Sequence, residues 1–273
     1  MSGKFSGYYF RHQKNGQTVA FIPGVSDDGA FIQMITDHRS YHFEFPSAVM
    51  SRKITIGKNR FSTEGIHIDL PGIRGNILYS DVTPLKSDIM GPFRFFPMEC
   101  RHKIVSMHHR LNGSLKIGNE IYDFENGTGY IEGDSGKSFP KKYIWIQAND
   151  FANGSSVMMS VAEIPFCGFR FEGCICVVLK DGKEYRLATY LGARAESSKN
   201  SIVVYQRSLR LEADLISKGM GFPLASPRDG KLRGITKENN NATVLFRLSD
   251  QNKTICELLS ANAGFECVGY PPA

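Results

Sequence analysis

The feature that most limits the folds open to this chain is its rhythm of short apolar or alternating runs, cut by turn-forming pairs. Runs at 8–13, 18–23, 30–36, 41–45, 66–70, 76–80, 103–111, 128–132 and 143–149 read as strands, and so do 157–164, 174–180, 184–191, 209–215, 231–236, 243–248 and 254–259. Between them stand Asn15-Gly16, Asp28-Gly29, Asn112-Gly113, Asn126-Gly127, Asn153-Gly154, Asp181-Gly182 and Asp229-Gly230. These are residues that accept the positive φ of tight hairpin turns. Helix is scarce, with a short segment at 139–142 and a turn at 88–91 the only candidates. The spacing predicts an all-β fold of antiparallel barrels or sandwiches. The polar stretch 149–156 divides it into an N-terminal β-barrel over 1–152 and a C-terminal barrel or sandwich over 153–273. A closed barrel of about eight strands holds one small ligand, so each half is a candidate container.

Composition narrows the partners. Of 273 residues, 41 % are hydrophobic, enough for a substantial core. The net charge of +6 forms no dense basic stripe, the nearest being the interrupted Arg207-Ser208-Leu209-Arg210. Nucleic acid is therefore not an expected partner. Met1-Ser2-Gly3-Lys4 does not read as a secretory signal, and no apolar stretch approaches the roughly 20 residues of a membrane helix. The expectation is a cytoplasmic protein with no stable membrane insertion. Its cysteines, Cys100, Cys167, Cys174, Cys176, Cys256 and Cys267, are then reduced and buried. Cys174 and Cys176 share a strand face but lack the second pair a zinc site needs.

Two motifs mislead. Gly133-Asp134-Ser135-Gly136-Lys137-Ser138 lacks the first glycine of a phosphate loop, and Phe139-Pro140 interrupts the helix that should follow. As a protease nucleophile it lacks the glycine expected at Lys137. It reads as a strand end followed by an Asp-Ser-Gly turn. His102, His108 and His109 sit on one strand, with period two placing the first two on one face and His109 on the other. No further ligand has motif spacing, so metal is not expected.

More informative are strand faces that mix aromatic and polar groups. Tyr143, Trp145, Gln147 and Asn149 share one face, opposite Ile144, Ile146 and Ala148. Such a face meets either water or a ligand cavity. Tyr130, Glu132 and Asp134 share another, as do His102, Ser106, His108 and Arg110. Buried together, Glu132 and Asp134 would raise each other's pKa and hold a proton for acid catalysis. In structural roles, Asp134 would cap a turn and Glu132 would pair with Arg110.

The stretch Gly129-Tyr130-Ile131-Glu132-Gly133-Asp134-Ser135-Gly136-Lys137-Ser138-Phe139-Pro140, then Tyr143-Ile144-Trp145-Ile146-Gln147-Ala148-Asn149, resembles the central signature of the tocopherol cyclase-like family. Phe5-Ser6-Gly7-Tyr8-Tyr9-Phe10-Arg11, Ala20-Phe21-Ile22-Pro23-Gly24 with Ala30-Phe31-Ile32-Gln33, and Met98-Glu99-Cys100-Arg101-His102 resemble its earlier segments. The resemblance implies two lipocalin-like β-barrel halves. It also implies closure of an oxygen heterocycle by protonation of an alkene and attack of a phenol, with no redox cofactor or metal. Asp134 or Glu132 would be the acid, and His102 or His108 would accept the phenol proton. Tyr130, Trp145, Gln147, Asn149, Ser106 and Gln33 would hold a hydrophobic phenolic or prenylated small molecule. Ser135 and Tyr143 replace family tryptophans and give a roomier, more polar pocket. That pocket also suits chalcone–flavanone isomerisation. The competing readings are a lipocalin-like carrier without chemistry and a hydratase of an isolated alkene.

Overall fold

In the computed structural model, residues 3–166 and 168–270 are described. The first sheet has eleven strands: β1 (Phe5–Lys14), β2 (Gln17–Ser26), β3 (Gly29–Thr36), β4 (Ser40–Phe45), β5 (Ile54–Ile56), β6 (Asn59–Ser62), β7 (Gly65–Leu70), β8 (Ile73–Thr83), β9 (Cys100–Ile117), β10 (Glu120–Asp123) and β11 (Gly127–Gly136). The second has ten: β12 (Tyr143–Ala148), β13 (Ser156–Phe166), β14 (Phe169–Lys180), β15 (Lys183–Ala188), β16 (Arg194–Ser197), β17 (Ser201–Gln206), β18 (Leu209–Ser217), β19 (Gly221–Arg228), β20 (Lys231–Asp250) and β21 (Lys253–Val268).

The first sheet runs β4-β3-β2-β1-β11-β9-β8-β7-β6-β5 and the second β15-β14-β13-β12-β21-β20-β18-β17-β16. Both curl toward closure. In the second, the Gln206 amide spans the gap, accepting from Ala188 N at 2.9 Å and donating to Arg186 O at 3.0 Å. The fold is all-β, as the turn spacing predicts, in two lipocalin-like halves, as the family resemblance implies. Among the described residues, helix is confined to short 3-10 turns at Gly91–Phe95 and Thr189–Leu191, and the expected helix at 139–142 does not form. Asp134-Ser135-Gly136 is no turn either, because β11 continues through Gly136 with β1 on one side and β9 on the other.

Each half has an apolar core of its own. Phe10, Phe21, Ile32, Phe61, Ile68 and Leu115 belong to the core of the first. Ile146, Val161, Cys176, Leu211, Phe246 and Phe265 belong to that of the second. Alternation dictates both: every second residue of a strand reaches the enclosed face, and there the sequence is aliphatic or aromatic. The cavity described below is lined from both halves, where the sequence reading placed one inside a barrel. A third apolar layer, including Tyr9, Ala20, Tyr130, Trp145, Met158 and Leu224, lies between the two sheets.

The chain crosses from one sheet to the other between Gly136 and Tyr143, in the middle of the family signature. The 143–149 run, grouped from sequence with the N-terminal half, pairs with β13 and β21 instead. The runs 231–236 and 243–248 join into the single strand β20, with Asn239-Asn240-Asn241 inside it. Asn239 Nδ2 donates to Phe265 O at 3.2 Å, which satisfies one side chain that a loop would have left in water. Cys174, Cys176 and Cys256 are buried free thiols and Cys100 and Cys267 are half-buried; Cys167 lies outside the described residues. No helix among the described residues is long and apolar enough to cross a membrane.

Candidate active site

A cavity of about 200 Å³ opens between the sheets and is lined from both. Its walls are aromatic. Tyr9 and Trp145 meet edge-to-face at 5.5 Å, Phe5 and Phe139 at 5.4 Å, and Phe139 and Tyr143 at 6.2 Å. Such rings present negative faces to a cation in their midst.

Strand register brings the polar groups together. Asp134 sits opposite His102 in the β9–β11 ladder. His102 Nδ1 donates to Asp134 Oδ1 at 3.0 Å, and its Nε2 lies 3.3 Å from Glu132 Oε2 without good hydrogen-bond alignment. Glu132 Oε2 also accepts from Tyr130 OH at 2.6 Å and from Trp145 Nε1 at 3.2 Å. Burial alone would push the His102 pKa down. The carboxylates of Glu132 and Asp134 outweigh it and hold the imidazole well above its usual value, so the ring is charged at neutral pH.

Across the cavity, β20 and β21 place Glu238 opposite Glu266. Tyr9 OH donates to Glu238 Oε1, and Tyr143 OH donates to Glu266 Oε2 at 2.6 Å. Burial and then repulsion from Glu266 raise Glu238 to about 8, against the lowering effect of the Tyr9 bond. Burial raises Glu266 to about 7, opposed by the Tyr143 bond and helped by the charge of Glu132. Two facing carboxyls in a poorly solvated wall do not both ionise easily, so the pair retains a proton near neutral pH. Burial also raises the phenols of Tyr9, Tyr130 and Tyr143, with Glu238, Glu132 and Glu266 adding to each in turn, so all three remain donors.

Of the residues singled out from sequence, His102, Glu132, Asp134, Trp145 and Gln33 line this cavity. His108 does not; it is half-buried, with its pKa lowered by burial and then by Arg110. Ser106 is turned away because register shifts interrupt the β9–β11 ladder next to Ile131, and its Oγ lies 3.0 Å from His109 Nδ1. Tyr130 stands behind the wall and reaches the site through Glu132. Gln147 and Asn149 are fully buried structural amides: Gln147 Oε1 accepts from Arg11 Nη1 at 3.3 Å, and Asn149 Nδ2 donates to Gly129 O at 2.8 Å. Arg110 pairs with Asp81 at 3.3 Å and not with Glu132. His102, Glu132 and Asp134 also offer ligand atoms within 4.8 Å of one another, the one trio of that kind among the described residues.

Sequence reasoning missed Tyr9, Glu238 and Glu266. Tyr9 had a signal, lying in the aromatic opening segment. The two glutamates had none, because Lys237-Glu238-Asn239 reads as a solvated loop and Glu266 meets Glu238 only through register.

The profile of the Tocopherol cyclase-like family matches residues 73–181. A protein described as "Probable tocopherol cyclase, chloroplastic" from Oryza sativa subsp. japonica is 32% identical over 78 residues, which is 28% of this chain and 17% of that protein. The match therefore spans under a fifth of the plant protein's length. Among solved structures, CghA with Sch210972 aligns over 98% of this chain and 89% of its own, with TM-score 0.66 and 10% identity. A further crystal structure of CghA gives TM-score 0.64 at 9% identity over 99% and 90% of the two chains. An AttH-type protein of Nitrosomonas europaea gives 0.53 at 12% identity over 98% and 92%. At these identities the structures speak for the fold alone. The chain is lipocalin-like in architecture. In sequence, residues 73–181 are similar to the Tocopherol cyclase-like family, a match over less than half of the chain.

Proposed function

We propose that this protein is an isomerase of the intramolecular-lyase type, forming or opening an oxygen heterocycle by adding a phenol oxygen to an alkene. The observation that carries the reading is the Glu238–Glu266 pair, two buried carboxyls facing each other across β20 and β21 in a cavity walled by aromatic rings. Protonating an alkene creates a carbocation. It needs an acid whose pKa is raised toward the working pH and a wall that favours positive charge. The shared proton goes to the alkene carbon, the phenol oxygen bonds to the cationic neighbour, and the phenol proton leaves. The reaction is an isomerisation, with no atom gained or lost.

The roles differ from those expected from sequence. The acid is the Glu238–Glu266 pair in place of Asp134 or Glu132. His102 is already protonated and does not accept the phenol proton. Asp134, held by His102 at the cavity edge with 24% of its side chain exposed, takes that proton instead. Glu132, bound by Tyr130, Trp145 and His102, fixes the imidazolium. The convergence of these groups inside the cavity also distinguishes the site from a carrier's, where polar groups belong at the mouth.

The test is incubation with a panel of prenylated quinols, chalcones and flavanones in heavy water, with products resolved by mass and chirality. Ring closure that places one deuterium on the carbon next to the new C–O bond supports the reading. Absence of any isomerised product across the panel refutes it.

A further inference from the structure

A second cavity, about 440 Å³, lies beside the first, between β3 and β4 on one side and β19 and β20 on the other. The two are separated by a wall one residue thick, because Phe31, Gln33, Leu224, Ala225 and Leu232 line both. Part of that wall is fixed. The Phe31 ring lies over Gly24, where a Cβ would come within 2.5 Å of it, and stacks against His42 at 6.3 Å. The rest is a latch. Gln33 Nε2 donates to Ala225 O at 2.9 Å and its Oε1 accepts from Ala225 N at 2.7 Å, joining β3 to β19 by a single side chain. A side-chain rotation releases both bonds without breaking any strand ladder. Gln33 is 4% exposed, so its amide faces the two cavities and not bulk water.

We propose that the two cavities are chambers of one binding site, with Gln33 as the gate between them, and that the site takes an elongated ligand. Its reacting end occupies the inner chamber, its apolar body passes Gln33, and its far end emerges in the outer one. The outer lining sets the chemistry of that end. Leu232 and Ile235 supply apolar surface and Ser40 is polar; Asp28 pairs with Lys231 at 3.5 Å, and Glu44, with His42 at 3.7 Å, leaves the acidic charge in excess. A neutral or cationic terminus fits and a carboxylate does not. The placement of the reacting end rests on the function proposed above; the shared occupancy of the chambers does not.

Trp145 is the single tryptophan of the chain and lines the inner chamber, so its fluorescence reports entry. The probes are para-alkylphenols from ethyl to dodecyl, with dodecyl analogues ending in ammonium or carboxylate. Affinity is expected to rise roughly fourfold per methylene across the whole series, as continued burial requires. The ammonium analogue should bind about tenfold more tightly than the carboxylate, against the net charge of +6. Asp28→Asn with Glu44→Gln, both exposed positions, should shrink that preference to about twofold. Gln33→Ala and Gln33→Glu, neither able to make both bonds to Ala225, should raise the association rate of the dodecyl members more than that of the ethyl one.

Affinity that levels off at short chains overturns the proposal. So does the lack of an ammonium preference, or a preference that survives the double substitution. The readout is binding, so the two readings fail separately. Long probes that bind as stated without turnover refute ring closure and keep the two-chamber site. Turnover of short phenols with rejection of long ones does the reverse.

Discussion

Strand β9 carries two histidines seven residues apart that meet opposite fates. His102 faces the cavity between the sheets, where the carboxylates of Glu132 and Asp134 hold it charged. His109 is fully buried with Ser106 and the Tyr79 ring, whose centroid is 4.4 Å away. There burial lowers its pKa well below the usual value, and His12 and His108 add to the effect. His12 beside it, bonded to Val19 O at 3.1 Å and to Tyr79 OH, is likewise lowered, to about 4. Burial is common to both regions, so it does not decide the charge. The carboxylates of Glu132 and Asp134 do, and both line the cavity between the halves. One region uses polar groups as neutral packing; the other assembles charge where a small molecule has room to enter.

Removing the acid should have the largest effect. Glu238→Gln or Glu266→Gln is expected to lower turnover on an identified substrate about 100- to 10,000-fold. The double variant should be little worse than the more damaging single one, because the two share one proton. Single-turnover kinetics will separate this from weakened binding.

Next comes the ion cluster itself. His102→Gln leaves Glu132 and Asp134 facing each other in the seam without their cation, at an expected cost of about 3 to 5 kcal/mol in urea unfolding. The matching change in the barrel interior, His109→Gln, removes no charge at neutral pH and should cost less. Equal losses would erase the distinction between the regions.

Stability against pH sharpens the comparison, because the two kinds of histidine act with opposite sign. The folded-state pKa of His12, about 4, lies below the ordinary 6.5 of the unfolded chain. The unfolded state therefore takes up the proton first. The contribution of His12 is complete above about pH 6.5 and is lost as pH falls toward 4, a change of ~3 kcal/mol for 2.5 pH units. His12→Phe should flatten that limb of the urea-derived stability profile. His102, raised in the folded state, contributes below 6.5 and loses its contribution as pH rises through its folded value. His102→Gln should flatten the alkaline side.

The smallest effect expected is from Gly129→Ala, which would place a Cβ 2.1 Å from His109 Nε2. Overpacking of this kind costs about 1 to 3 kcal/mol. It should disturb the His109 resonances by NMR while leaving those of His102 in place.

The sequence made some of this legible and hid the rest for identifiable reasons. Turn pairs such as Asn126-Gly127 and Asp181-Gly182 act locally, and they marked the hairpins well enough to fix an all-β fold. The signature from Gly129 to Asn149 is contiguous, and it pointed to Glu132, Asp134 and Trp145 together. It also misled, because the crossing between sheets falls inside it. Trp145 and Gln147 share a strand face, yet one lines the cavity and the other is sealed beneath it against Arg11. Ser106 was misassigned because the period-two rule does not foresee an irregular register. Short strands such as Ile54–Ile56 and Asn59–Ser62 have too few residues to show alternation. Glu238 and Glu266 lay out of reach altogether, since only the pairing of β20 with β21 reveals that two glutamates 28 residues apart oppose each other.

The most direct test of the central claim is infrared difference spectroscopy of the carboxyl carbonyl stretch, from pH 5 to 9, on the wild type and on Glu238→Gln/Glu266→Gln. The seam is predicted to show a protonated carboxyl at pH 7 that ionises near pH 7 to 8 and is missing from the double variant. A wild-type protein whose carboxyl groups are all ionised by pH 6 would contradict it.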